Sequence, residues 1–228
     1  MRYEKTKRRD ASLYKRVVCF DLDDTLYPEI EFVRSAFFEL SGEDEGLTRQ
    51  MLLWREQGEN VFERLNRILH RNIAIEDYLS RYRSHKPRIQ LSEETTEVLR
   101  RLCSMDMVLG LITDGRSQTQ RLKIQALGLD AFFPPENIVI SEESGFDKTS
   151  PDNFAFFMHR YPQAEQYYYI GDNPDKDFRM PKSLGWKTMM LMDNGVNIHP
   201  QKEVSKEYAP DVILDSLSQL FQYLLYEK

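Results

Sequence analysis

The chain has 228 residues, 41% hydrophobic and 12% aromatic, which suffices for a sizeable core in one domain or in a domain with a modest insertion. Its formal net charge of -6 argues against a nucleic-acid binder, whose footprint is normally a basic face, while small anions can still be held by local positive groups. Cys19 and Cys103 show no disulfide or zinc spacing, and His70, His85, His159 and His199 form no HExxH pair and read as surface or packing residues. No apolar run approaches the ~18 residues that cross a bilayer, and the charged N-terminus lacks a signal peptide's apolar segment. A cytoplasmic protein is expected, a monomer or small homo-oligomer, with no nucleic-acid or membrane partner.

Residues 1–15 are locally basic, but Glu4 and Asp10 break the run, as suits a solvated tail. "RVVCFDL" then predicts a first strand. From Pro28 to Leu91 no strand pattern appears. "IEFVRSAFFELS", "GLTRQMLLWREQ", "NVFERLNRILHR" and "IEDYLSRYRSH" predict four helices, a small helical subdomain over residues 28–91. Trp54 and Arg55, beside Leu52 and Leu53, read as core and surface residues of that insert.

Pro87 and "SEETTE" lead into a helix near Ser92 to Cys103 and then the strand "MVLGLIT". A helix over Gln118 to Leu127 follows, stopped by Gly128. Next come the strand "NIVI", a helix over 151–160 opened by Pro151, the strands "YYYIG" and "KTMMLM", and a short "DVIL". The last helix places Leu217, Leu220, Phe221, Leu224 and Leu225 in one apolar stripe. Strands apolar on both faces, alternating with helices, predict an α/β fold: a Rossmann-like parallel sheet core over 16–27 and 92–228, carrying the inserted all-helical subdomain.

In such sheets ligands sit beyond the carboxyl ends of the strands. There the sequence delivers Asp21, Asp23, Asp24 and Thr25 after the first strand, and Thr113, Asp114 and Gly115 after the second. Lys148 follows the third strand, and Gly171, Asp172, Asn173, Asp175 and Asp177 follow the fourth. Carboxylates converging without matching cations repel one another unless a metal neutralises them, and an all-oxygen set favours Mg²⁺ over zinc. Mg²⁺ with one lysine and one threonine makes a phosphate site, in which an aspartate can attack phosphorus. Asp21 and Asp23, at i and i+2, project to the same side of an extended chain. Asp21, nearest the metal, is expected to be the nucleophile. Asp23 is expected to move protons, which requires a pKa above that of its partner.

"DLDDTLY", "ITDG", the lysine ahead of "PDNF", and "GDNPDKD", in this order, resemble the four motifs of the haloacid dehalogenase-like (HAD) hydrolase superfamily. The helical insert resembles its small C1-type cap. The resemblance spans about Val17 to the end of the chain. It implies that Asp21 is nucleophile and Mg²⁺ ligand, and that Asp23 is general acid/base with its backbone carbonyl on the metal. It further implies that Thr113, Lys148 and the backbone N–H of Asp114 bind the phosphoryl group, that Asp172 completes the metal site, and that Asp177 joins it directly or through water. Asp24 falls at a variable position, that of a loop or capping residue. Two departures stand out: "KTSPDNF" alters the loop between Lys148 and Pro151, and Met180-Pro181 replaces a Gly-Ala pair, with Pro181 expected near the first position of a late-starting helix.

The expected function is an Mg²⁺-dependent phosphatase acting through an aspartyl phosphate on a small phosphorylated metabolite such as a sugar phosphate, nucleotide or phosphoglycolate. The cap would exclude water and bulky partners. Alternatives are a phosphomutase of the same superfamily, a dehalogenase, against which Asp23 speaks, and a catalytically silent HAD-fold binding protein.

Overall fold

The computed structural model describes residues 15–105 and 107–226, so the basic tail lies, apart from Lys15, outside the described residues. Six parallel strands form one sheet in the order β3-β2-β1-β4-β5-β6. They are β1 (Arg16–Phe20), β2 (Met107–Thr113), β3 (Ile138–Ile140), β4 (Gln166–Gly171), β5 (Lys187–Leu191) and β6 (Val212–Leu214). All six expected strands are present. β1 lies at the centre between β2 and β4, where the winding direction reverses, and this is the crevice in which open α/β sheets bind ligands.

The apolar runs are explained by burial on both faces. Val18 and Phe20 of β1 join a core with Leu99 and Leu102 of α5 (Glu93–Ser104) and Ile124 of α6 (Ser117–Ala126). Val17 and Cys19 pack on the opposite face with Phe154 and Phe157 of α8 (Asp152–Arg160) and with Trp186. Ser92 caps α5 by accepting from Thr95 N at 3.0 Å. Gly128, in the left-handed region at φ 66°, follows α6 as expected and donates to Gln125 O. A four-residue helix, α7 (Ser141–Ser144), separates β3 from the lysine loop.

Between β1 and α5 lie α1 (Glu29–Ser41), α2 (Glu45–Glu56), α3 (Val61–Ile68) and α4 (Ile75–Ser84). They share a core of their own, built from Val33, Phe37, Leu40, Met51, Trp54, Leu65 and Tyr78. Two local expectations are corrected. Pro181 is the third residue of α9 (Arg179–Ser183), still within the first turn, where a missing N–H costs no helical bond. In the C-terminal stripe, Leu217 lies in a 3₁₀ turn ahead of α10 (Leu220–Tyr226), and Leu225 points outward, 41% exposed, while Leu217, Leu220, Phe221 and Leu224 are buried. The buried stripe therefore ends at Leu224.

Candidate active site

Asp21 extends β1 by one residue, its N–H donating to Ile170 O at 2.8 Å, so the first carboxylate is fixed by the central ladder. The buried Lys148 ammonium lies 2.9 Å from Asp21 Oδ2 and 2.7 Å from Asp177 Oδ1. The other Asp177 oxygen accepts from the backbone N–H groups of Asp172 and Asn173, at 3.1 and 2.9 Å. Asp177 can approach this closely because residue 171 is glycine: a Cβ there would stand 2.7 Å from Asp177 Cγ. Asp172 Oδ1 accepts from Thr25 Oγ1 at 3.2 Å. Thr113, at the end of β2, is buried, and Asp114 accepts from Lys148 N at 3.1 Å. The altered "KTSP" loop therefore still delivers its lysine.

Ligand oxygens of Asp21, Asp172 and Asp177 lie within 4.8 Å of one another. One ammonium cannot balance three carboxylates in so dry a place. Burial first, with Lys148 opposing and Asp177 reinforcing, pushes Asp21 up to about 8. Burial and then Asp21 push Asp172 up to about 9. Lys148 is held well above its usual range, because Asp177 and Asp21 outweigh the burial that opposes its charge. An all-oxygen cluster short of positive charge fits a hard divalent cation. Both Asp177 oxygens already have donors, so this residue also orients the cluster from behind.

Asp23 has partners that the sequence reading did not name. Its carboxylate turns to Lys123 of α6, whose ammonium lies 2.7 and 2.8 Å from the two oxygens. Tyr27 Oη donates to Oδ1 at 2.6 Å, and Gln120 Nε2 to Oδ2 at 3.0 Å and to Thr113 Oγ1 at 2.7 Å. Burial alone would raise the Asp23 pKa, but the Lys123 charge and these hydrogen bonds outweigh it and hold the group below its ordinary value. In the metal-free chain Asp23 is thus held below the ordinary carboxylate value and Asp21 above it.

Lys123 and Gln120 escaped the sequence reading. A signal was present: Gln120, Lys123, Ile124 and Leu127 follow i, i+3, i+4, i+7, and all four are buried, so two polar residues occupy an apolar stripe. Asp24, at φ 54°, accepts from Glu29 N, the first N–H of α1, at 2.7 Å and from Ile198 N at 2.8 Å. It is the capping residue expected, and it also ties down the segment after β5. From that segment Asn197 donates to Asp172 Oδ2 at 3.2 Å and Gln201 to Asp172 O at 2.8 Å. His199, read from sequence as surface or packing, lines the cavity.

The cavity has a volume of about 140 Å³ and is lined by Asp21, Asp23, Thr113, Asp114, Lys148 and Asp172, with Glu29, Lys176 and His199 around them. Asp177 stands behind it. The only helical-insert residue in its wall is Glu29, pushed up to about 7 by burial and then by Asp23. Trp54 lies in the insert's own core.

The sheet carries acidic loops at the ends of its central strands β1 and β4. The chain matches the haloacid dehalogenase-like hydrolase family over residues 18–191 and belongs to that family. It is an enzyme of the HAD superfamily, with phosphatases among its relatives. It is 29% identical to the glyceraldehyde 3-phosphate phosphatase of Methanocaldococcus jannaschii, over 89% of this chain and 94% of that protein. It is 28% identical to the protein of the same name from Methanopyrus kandleri, over 77% and 83%. Its fold is similar to that of magnesium-bound YfnB from Bacillus subtilis, with TM-score 0.66, 21% identity and coverage of 93% and 99%. No helix among the described residues is long and apolar enough to cross a membrane.

Proposed function

We propose that this chain is an Mg²⁺-dependent phosphatase that cleaves a short phosphorylated metabolite through an aspartyl phosphate on Asp21. The observation that carries the reading is the convergence of Asp21, Thr113 and Asp172, at the ends of β1, β2 and β4, with Lys148 from the loop ahead of α8, on one small cavity. Asp21 and Asp172, the Asp23 backbone carbonyl, and Asp177 directly or through water, would hold the ion, which supplies positive charge against the phosphoryl oxygens. Lys148 adds a second positive charge, and Thr113 Oγ1 and the Asp114 N–H donate to the same group.

An Asp21 oxygen attacks phosphorus as the bond to the leaving oxygen breaks, and that oxygen takes a proton from Asp23. Water then attacks phosphorus, gives a proton back to Asp23, and releases inorganic phosphate with the Asp21 carboxylate restored. The donors around Asp23 favour its ionised form, which is the form that accepts the proton of water. A phosphoryl dianion in the cavity adds negative charge beside it and favours the protonated form needed first.

Residues 28–91 act in this reading as a cap, contributing Glu29 to the wall. A cavity of about 140 Å³, below the roughly 300 Å³ of ordinary small-molecule sites, favours a phosphoryl group with a short polar remainder over a nucleotide. The triose phosphate named for the two archaeal relatives is of that size class. The test is a panel of phosphorylated metabolites ranked by kcat/KM with and without Mg²⁺. Triose phosphates ranking above nucleotides, with no turnover after metal removal, is the expected result. Isomerisation without release of inorganic phosphate would replace the reading with a mutase.

A further inference from the structure

We infer that Lys123, seconded by Tyr27 and Gln120, is a positioning residue that holds the Asp23 carboxylate in place for proton transfer. This rests on the acid/base reading of Asp23. Lys123 belongs to none of the four motifs: it sits two turns along α6, beyond the loop that carries Thr113 and Asp114. Its ammonium is buried yet has no wall position in the cavity, so it is placed to serve a neighbouring side chain rather than substrate.

That neighbour is Asp23. A carboxylate offers about four lone-pair sites, and here each oxygen has two donors: Lys123 and Tyr27 on Oδ1, Lys123 and Gln120 on Oδ2. Four hydrogen bonds from three side chains fix both the position and the plane of the group. The stem of Lys123 is held as well, its ammonium lying 4.5 Å from the ring centroid of Phe32 in α1 and 3.5 Å from Glu29 Oε1. Gln120 couples the arrangement to the phosphoryl-binding side, because the same amide donates to Thr113 Oγ1. One buried lysine thus spans the core helix α6, the proton-transferring aspartate and the first helix of the insert.

The test separates positioning from folding by the proton demand of the leaving group. Para-nitrophenyl phosphate releases an acidic phenol and needs little proton delivery, whereas glycerol phosphate releases an alkoxide that does. Lys123→Met, full chain with Mg²⁺, should lose about 10²-fold in kcat on glycerol phosphate, the low end of general acid/base effects. It should lose under about tenfold on the aryl ester. In the Asp23→Asn background, Lys123→Met should add no further loss. Tyr27→Phe, which removes one hydroxyl and preserves packing, should show the same selectivity at smaller size, and serves if Lys123→Met does not fold. Equal losses on both esters, or losses that multiply with Asp23→Asn, overturn the positioning role. If Asp23→Asn is slow on glycerol phosphate while Lys123→Met keeps the parental rate, the role of Lys123 alone falls. Parental turnover by Asp23→Asn overturns the acid/base reading beneath it, and the inference with it.

Discussion

The Lys148 ammonium stands 2.9 Å from Asp21 Oδ2 with both side chains buried, so the cation aimed at the proposed nucleophile also opposes the burial that raises its pKa. Removing it leaves Asp21 and Asp177 facing each other in a dry site. Lys148→Met is expected to lower kcat by about 10²–10³-fold, the scale of losing a charge-stabilising donor. It should also weaken the metal-free fold by about 3–5 kcal/mol, the cost of breaking a buried pair. Steady-state kinetics and chemical denaturation check the two effects separately.

The crowding of carboxyls makes stability depend on pH in a stated direction. Asp21 and Asp172 titrate near about 8 and about 9 in the folded chain, against 3.8 for an ordinary aspartate. Between those values the folded metal-free chain binds more protons than the unfolded one, so its stability falls as pH rises from about 4 to about 9. A divalent cation held by the same carboxylates would replace those protons. The gain in melting temperature on adding Mg²⁺ to chelator-treated protein should therefore grow from about pH 5 to about pH 8. A gain independent of pH would contradict this account of the cluster.

Gly171 exists for Asp177. With alanine at this position, the new Cβ would meet the Asp177 carboxylate and push it off the Asp172 and Asn173 amides. Gly171→Ala should cost about 1–3 kcal/mol of stability, as overpacking does, and should weaken Mg²⁺ binding measured by calorimetry.

Asp24 contributes through two backbone donors. In Asp24→Ala, Glu29 N and Ile198 N lose their acceptor, and alanine is strained at φ 54°. A loss of about 1–3 kcal/mol is expected. Hydrogen exchange should speed selectively at the start of α1 and around residue 198, because the clip joins those two segments.

Much of the fold was legible because strands buried on both faces leave unbroken apolar runs, and "VVCF" and "VLGLIT" could be little else. Gly128 announced the end of α6, and Ser92 the start of α5. The acidic cluster was legible through its order along the chain, since successive strand ends of a parallel sheet meet at one edge. The partners of Asp23 were only hinted at: the stripe of Gln120, Lys123, Ile124 and Leu127 marks two polar residues on an apolar face, but only α6 packed against residue 23 shows what they hold. Without Lys123 in view, the donors that hold the Asp23 carboxyl below its ordinary value went unnamed. The segment that brings Asn197, Ile198 and His199 to the site has no periodicity, and only tertiary contact assigns it a place. Leu225 shares the apolar pattern of its helix, and only the packed structure shows that the buried stripe ends at Leu224.

The most direct test of the central claim is a rapid acid quench of the enzyme turning over para-nitrophenyl phosphate with Mg²⁺, followed by mass spectrometry of its peptides. The account predicts one added phosphoryl group on the peptide containing Asp21, lost in Asp21→Asn together with turnover. Undiminished turnover by Asp21→Asn, or a phosphoryl group trapped on a different residue, would contradict it.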